Sequence, residues 1–447
     1  MTDGRATIEL GEYQRIRQPA PPPTDADLRL ADRLADPQSP RLQLRWLANG
    51  DIDITASEWV GVLRLSTLDI HITPKYVGGS RRLLKMLDFA NDTKLARQLP
   101  NTRPLDATGE HLPELLCQLL AQSTHAVLRH GLRRSYRPES DDLPVLRGRL
   151  DHRAQLLRRF GQLDRLVCHF DEHDTDNTDN QLLCAALHAA RPLATSDETR
   201  TDLARLHAVF LEACSPPTRE SDWYRHRIVY SRLNERYRDA HDIAYLILDH
   251  LAFDDLFQTT GPVNVNAFLI DMNAVFERFV TKLLAAAAGP HLQIDSQHRL
   301  HARITDANTG RTYATLVPDL IVRCHEPART TPVDIKYKLY SDHKLTTSDI
   351  YQAATYAHAL ATADVDARAA IIYPGNRTAV TTRLLVNGHH PRSRTHLAAG
   401  SLNVEAALEH INAMNRPSTE LTEQVRKLAI ELATGEASSA SATTAGP

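Results

Sequence analysis

The sequence predicts a multidomain α+β and α/β chain, with a small β-rich N-terminal module, a helical middle and a C-terminal α/β domain. Three observations point there. Apolar and polar residues alternate with period two between about residues 41 and 74. Apolar residues recur at helical spacing through most of 112–260, and beyond 262 helix-like and strand-like stretches follow one another. A chain of 447 residues also exceeds one typical domain.

Taken in order, residues 1–25 read as a leader and a proline-rich spacer, "QPAPPPTD" (Gln18–Asp25). Residues 26–110 form the β-rich module, with a hairpin signal at Asn49-Gly50 and a closing helix after Arg81. Residues 111–260 are mainly helical. Within them, 128–166 is rich in arginine, which suits either a phosphate-facing surface or a solvated helix face. The acid-rich "HFDEHDTDNTDN" (169–180) reads as a solvated loop with Asp179 near the N-cap of the next helix. Residues 261–395 are the α/β domain. It opens on an amphipathic helix with Met272, Val275, Phe276, Phe279 and Leu283 as its apolar stripe. Residues 396–434 read as a C-terminal helical segment, and 435–447 as a disordered low-complexity tail.

Composition excludes several classes. Basic and acidic residues number 52 and 55, so no global field favours nucleic acid and any contact with it rests on local patches. The five cysteines are scattered without the spacing of a zinc ribbon or an iron–sulfur quartet, which fits a reducing cytoplasm. The N-terminus has no apolar signal region, and no run approaches membrane-spanning length. Only eight lysines occur in the chain, and three of them lie between 336 and 344.

The chemistry concentrates in "VPDLIVRCHEPARTTPVDIKYKLY" (Val317–Tyr340). Two apolar runs carry Asp319, Asp334 and Lys336, and a charge in a strand core is costly unless it is paired, solvated or bound to metal. Strand alternation puts Asp334 and Lys336 on one face, and pairing through a His325–Pro332 turn would bring Asp319 beside Asp334. Clustered carboxylates suit Mg²⁺, with Mn²⁺ as the alternative. Glu277, at the edge of the helix stripe, is placed to add a third carboxylate. Gln352 and Tyr356 share a helix face downstream. Taken alone, Asp334 and Lys336 also suit an ion pair guarding an edge strand.

Together these residues resemble the PD-(D/E)XK nuclease superfamily. "LDIHITPKY", "LRRSYRPESDDLPVLRGRLD", "DNTDNQLLCAAL", "MNAVFERFV", "VPDLIV" and "DIKYK" resemble, in order, segments of the McrC family, nuclease subunits of GTP-dependent restriction systems that cut modified-cytosine DNA. The resemblance spans about 60 to 375. It implies a restriction-endonuclease-like C-terminal domain in which Asp319, Asp334 and Glu277 hold the metal. Lys336 would act on water or phosphate, with Gln352 and Tyr356 supporting the site or the DNA backbone. It also implies a McrB-like AAA+ GTPase hexamer as partner, docked by the N-terminal module, with double-stranded DNA as substrate and self-association through the nuclease domain. No Gly-x-x-x-x-Gly-Lys-Ser/Thr occurs, so GTP belongs to the partner and not to this chain. A stand-alone RecB-like exonuclease and a non-catalytic activator of a motor are the alternatives. Deleting residues 1–100 is expected to leave the metal site folded.

Overall fold

The computed structural model describes residues 6–36, 40–95, 112–162, 164–215, 219–250, 266–296, 300–338, 340, 343–361, 366–387, 394–412 and 414–436. Contacts divide the chain into two compact units. Residues 1–62, 67–109 and 269–447 belong to the first, and 63–66 and 110–268 to the second.

The chain begins with β1 (Ala6–Gly11), β2 (Arg15–Pro19), α1 (Asp25–Leu34), β3 (Leu42–Trp46), β4 (Asp51–Ala56), β5 (Trp59–Arg64), β6 (Leu68–Thr73) and α2 (Ser80–Asn91). The β3–β4 hairpin turns at Asn49-Gly50, where Gly50 takes φ +85°, a conformation open to glycine without steric cost. Residues expected as leader and spacer carry two strands. β1 runs parallel to β6, with Ile8 opposite Ile70, and β2 pairs antiparallel with β4, with Ile16 opposite Ile54. Pro19 sits at the end of an edge strand, where a missing N–H is tolerated. Past the prolines, Thr24 and Asp27 close a capping box that starts α1.

The second unit contains α3 (Leu112–Arg129), β7 (Ser135–Leu143), β8 (Arg149–Leu150), α4 (His152–Arg158), β9 (Leu166–Asp174), α5 (Thr178–Ala190), α6 (Asp197–Ala213), α7 (Ser221–Arg225) and α8 (Arg238–His250). Helices α3, α5, α6 and α8 pack around buried Leu116, Leu120, Leu183, Leu187, Phe210 and Ile247. The arginine-rich stretch 128–166 is not one helix. β7 pairs antiparallel with β9, β8 joins from the other side, and α4 is short. Pro138 and Pro144 oppose a helix interior, and the strands give Arg147 a partner in Glu172 at 2.7 Å. The 169–180 stretch is likewise not a solvated loop. Residues up to Asp174 belong to β9, Asn177 caps α5, and Asp179 is buried.

The first unit resumes with β10 (Asn266–Asp271), α9 (Met272–Ala287), β11 (Leu292–Ser296), β12 (Leu300–Thr305), β13 (Thr312–Leu316), β14 (Leu320–His325), β15 (Ala328–Ile335), α10 (Thr347–Leu360), β16 (Ala367–Pro374), β17 (Ala379–Asn387), β18 (Arg394–Leu402), α11 (Val404–Glu409) and α12 (Thr419–Thr434). The expected stripe of α9 is its buried face. Six strands form a mixed sheet in the order β11-β14-β15-β16-β18-β17, with β15, β16 and β18 mutually parallel. Parallel neighbours need a crossover, which α10 supplies between β15 and β16. α10 covers the face bearing Ile371, Tyr373, Leu397 and Ala399. α12 lies over Gly400 on the other, where a Cβ would come within 2.9 Å of Leu428. β18 crosses residue 395, so the segment from 396 begins inside this sheet. Gly435 closes α12, and 437–447 lie outside the described residues. Among the described residues no helix is long and apolar enough to cross a membrane.

Candidate active site

The site forms where the β14–β15 hairpin opens. The turn is tighter than expected: His325 already faces Ala328 across Glu326-Pro327, and Pro332 lies within β15 opposite Ile321. The ladder ends at Leu320 opposite Val333. Asp319 precedes β14 rather than interrupting a longer strand, because Pro318 cannot donate a ladder bond. From there its Oδ2 accepts the N–H of Ile335 at 2.6 Å, supplying the acceptor the ladder no longer provides.

Asp334 is 1% exposed. Its Oδ2 lies 3.0 Å from Lys336 Nζ, an ion pair, and this buried oxygen has no hydrogen bond besides. Burial pushes the Asp334 carboxyl up to about 6; Lys336 pulls it down and Asp319 pushes it further up. Asp319 is raised by burial, against the opposing Ile335 N–H and Lys336. Glu277 is raised by burial and then by Asp319. Burial disfavours the charge on Lys336, but Asp334 and Asp319 outweigh it and hold the ammonium protonated. The expected acids and lysine are therefore one electrostatic group, and the group is short of positive charge.

That shortage fits a hard cation. Among the described residues, no three His, Cys, Asp or Glu side chains converge into a ready-made cage. Mg²⁺ does not require one, since it binds through one or two carboxylates and keeps water or phosphate oxygen for the rest. Asp319 and Asp334 are the two carboxylates that could hold it, and the buried Asp334 Oδ2 has no partner other than Lys336. Glu277, expected as a third ligand, does not complete a three-carboxylate group among the described residues and is linked to Asp319 by charge.

Gln352 and Tyr356 meet as the helix spacing expects. Gln352 Nε2 donates to Tyr356 Oη at 3.1 Å, and Tyr356 Oη donates to the carbonyl of Val317 at 3.3 Å, two residues before Asp319. The pair braces the turn that delivers Asp319. Two further groups escaped the sequence reading. Asp349, buried on α10, binds Lys338 Nζ at 2.8 Å and Thr346 Oγ1 at 2.7 Å and adds negative field at Asp334 and Lys336. The Thr346-x-x-Asp349 spacing of a helix start was the available signal. Glu12 and Tyr13 reach Tyr337 from 325 and 324 residues away, with no local signal at all.

Fold and site together define a mixed α/β protein with a carboxylate–lysine centre on the opened end of a strand hairpin. Residues 54–374 match the family described as McrBC 5-methylcytosine restriction system component, and the chain belongs to that family. Its fold is similar to a refined half-complex from the tetradecameric assembly of Thermococcus gammatolerans McrB AAA+ hexamers with bound McrC. That match has 18% identity and a TM-score of 0.60 over 94% of this chain and 98% of the other. A cryo-EM structure of the Thermococcus gammatolerans McrBC complex matches with 22% identity and a TM-score of 0.43, over 64% of this chain and 89% of the other. No curated protein matches the chain.

Proposed function

We propose that this chain is the endonuclease subunit of a GTP-dependent, modified-cytosine-directed DNA restriction system, and that 261–395 hold a PD-(D/E)XK centre. The observation that carries the reading is Asp334: a buried carboxylate with an oxygen lacking a hydrogen bond, beside Asp319 and Lys336, in a member of this family. Asp319 and Asp334 would hold Mg²⁺ or Mn²⁺, with Glu277 tuning them. When bound, the ion supplies Lewis-acid polarisation of the scissile phosphate. Lys336, held charged by the two aspartates, donates to a phosphate oxygen or orients the attacking water. Tyr356 and Gln352 hold the turn that aims Asp319. One such centre cuts one strand, so double-strand cleavage calls for two copies, brought together through the nuclease domain.

The energy source is a separate McrB-like AAA+ GTPase. We place its docking surface on the N-terminal module, 26–110, and extend it to 145–160, where Val145, Leu157 and Phe160 are 72%, 76% and 82% exposed. The test is cleavage of methylated DNA by the purified chain, with and without the GTPase, GTP and Mg²⁺. All three should be required. Asp334→Asn should cut nothing yet still stimulate the GTPase, while Leu157→Asp should lose stimulation. Cleavage without the GTPase would favour the stand-alone exonuclease. Wild-type cleavage by Asp334→Asn would remove the site assignment.

A further inference from the structure

Tyr337 follows Lys336 and, by strand alternation, points to the opposite side of the strand. It is 1% exposed and held at four points. Its hydroxyl donates to Glu12 Oε1 at 2.7 Å, and its carbonyl accepts from Tyr13 Oη at 2.5 Å. Its ring meets Tyr76 edge-on at 6.1 Å and Phe276 at 5.5 Å. Phe276 directly precedes Glu277. Glu12 Oε1 also accepts the backbone N–H of Lys75 at 2.5 Å, which gives the "TPKY" segment a role.

The clamp stands where the backbone stops holding the strand. Pairing with β14 ends at Val333 and pairing with β16 at Ile335, and Lys336 N–H makes one last bond, to Ile372 O at 2.9 Å. Beyond it, side chains from distant segments replace the ladder. The arrangement is expensive. Glu12 is 1% exposed, and its Oε2 is buried with no hydrogen-bond partner. Tyr13 beside it has φ +60°, which a side chain other than glycine's rarely adopts. A pocket selected only for stability would take an apolar residue in place of a buried carboxyl.

We propose that Glu12 and Tyr13 are positioning residues for DNA cleavage, fixing Tyr337 so that the adjacent Lys336 is aimed at the scissile phosphate. This rests on Asp319, Asp334 and Lys336 being the cleavage site. Misplacing a reacting group by about 1 Å can cost about 10²-fold in rate. The full chain with its GTPase partner, GTP, Mg²⁺ and methylated DNA provides the assay. Glu12→Ala and Tyr337→Phe should each lower kcat by about 10–10²-fold, with KM for DNA within about twofold and GTPase stimulation unchanged. Glu12→Gln should stay within about threefold of wild type, because the amide oxygen still accepts from both Tyr337 and Lys75. If Glu12→Ala does not fold, Tyr337→Phe, which removes one oxygen, decides. Wild-type kcat in Tyr337→Phe overturns the proposal, as does an equal loss of kcat, DNA affinity and GTPase stimulation. Asp334→Asn run in parallel separates the two readings. If it cuts, the site itself is wrong; if it is dead while Glu12→Ala and Tyr337→Phe cut normally, only the positioning role fails.

Discussion

Each unit buries an aspartate to 1% exposure beside a basic side chain, Asp334 in the first and Asp179 in the second. The two differ in what their oxygens find. One Asp179 oxygen pairs with the Arg133 guanidinium, and the other accepts from Asn234 Nδ2 at 2.9 Å. Most of the surroundings are satisfied too, although Arg133 Nε is buried without a hydrogen bond. Asn177 and Asn180 donate to the carbonyl of Arg133, whose N–H reaches Tyr237 Oη at 2.7 Å. Burial holds His241 down at about 4 and therefore neutral, so Nε2 can donate to the Asp179 carbonyl while Nδ1 accepts from Tyr230. Asn180 also binds Thr175 O, so the network ties Arg133, just before β7, to the residue just after β9. Asp334 keeps one oxygen without a hydrogen bond and is pushed up to about 6 by burial. Burial alone therefore does not mark a reactive acid. A satisfied buried acid builds the fold, and an unsatisfied one waits for something.

The same near-isosteric change tests that contrast at both positions. Asp334→Asn should abolish cleavage and change stability little, because relief of the buried charge offsets the lost pairing with Lys336, which Asp319 still faces. Asp179→Asn should have the opposite effect. It leaves Arg133 facing a neutral amide, and breaking a buried pair costs about 3–5 kcal/mol. Cleavage per folded molecule should be kept. Denaturant melts beside single-turnover cleavage measure both, and equal stability losses at the two positions would break the comparison.

How much of this the sequence disclosed follows the range of the interactions. The Asn49-Gly50 hairpin, the buried stripe of α9 and the Gln352–Tyr356 contact were readable because each depends on neighbours in sequence or one helical turn apart. Asp319, Asp334 and Lys336 were readable because acids inside apolar runs break a pattern. The 169–180 stretch was misread as a solvated loop because acid-rich text suggests solvent; Asp179 does lie in the first turn of α5, but its partner Arg133 is 46 residues earlier. β1 and β2 were hidden by the prolines that follow them. Their partners, β6 and β4, lie well along the chain, and Glu12 and Tyr13 between them reach Tyr337, so the expectation that the metal site stays folded without residues 1–100 does not suit this architecture.

Glu12 sharpens the comparison from within the first unit, since it too is buried with an oxygen lacking a hydrogen bond. Burial raises its carboxyl from 4.5 to about 7, against the bonds from Tyr337 and Lys75. Between those values the folded chain keeps a proton that the unfolded chain has lost. Stability from this group is complete below about pH 4.5 and falls as pH rises to about 7, by about 3 kcal/mol in all. Glu12→Gln cannot ionise. Its stability relative to wild type should therefore increase between pH 4.5 and 8 by about that amount. A difference independent of pH would mean that the carboxyl is solvated in the folded chain.

The smallest effect belongs to Tyr356. Its hydroxyl donates to Val317 O at a long 3.3 Å, and Val317 is 40% exposed, so water can take over that carbonyl. Asp319 keeps its own anchor on Ile335 N–H at 2.6 Å. Tyr356→Phe should therefore cost about 0.5–1.5 kcal/mol of stability, the net value of one ordinary hydrogen bond. Cleavage should drop by no more than about the tenfold that 1.4 kcal/mol represents. Gln352→Ala, further from the turn and half-exposed, should cost less still. Both are read in one titration of cleavage rate against DNA concentration. A loss near 10²-fold in Tyr356→Phe with KM unchanged would move Tyr356 into the reacting group, beside Lys336, and leave the Val317 bond incidental.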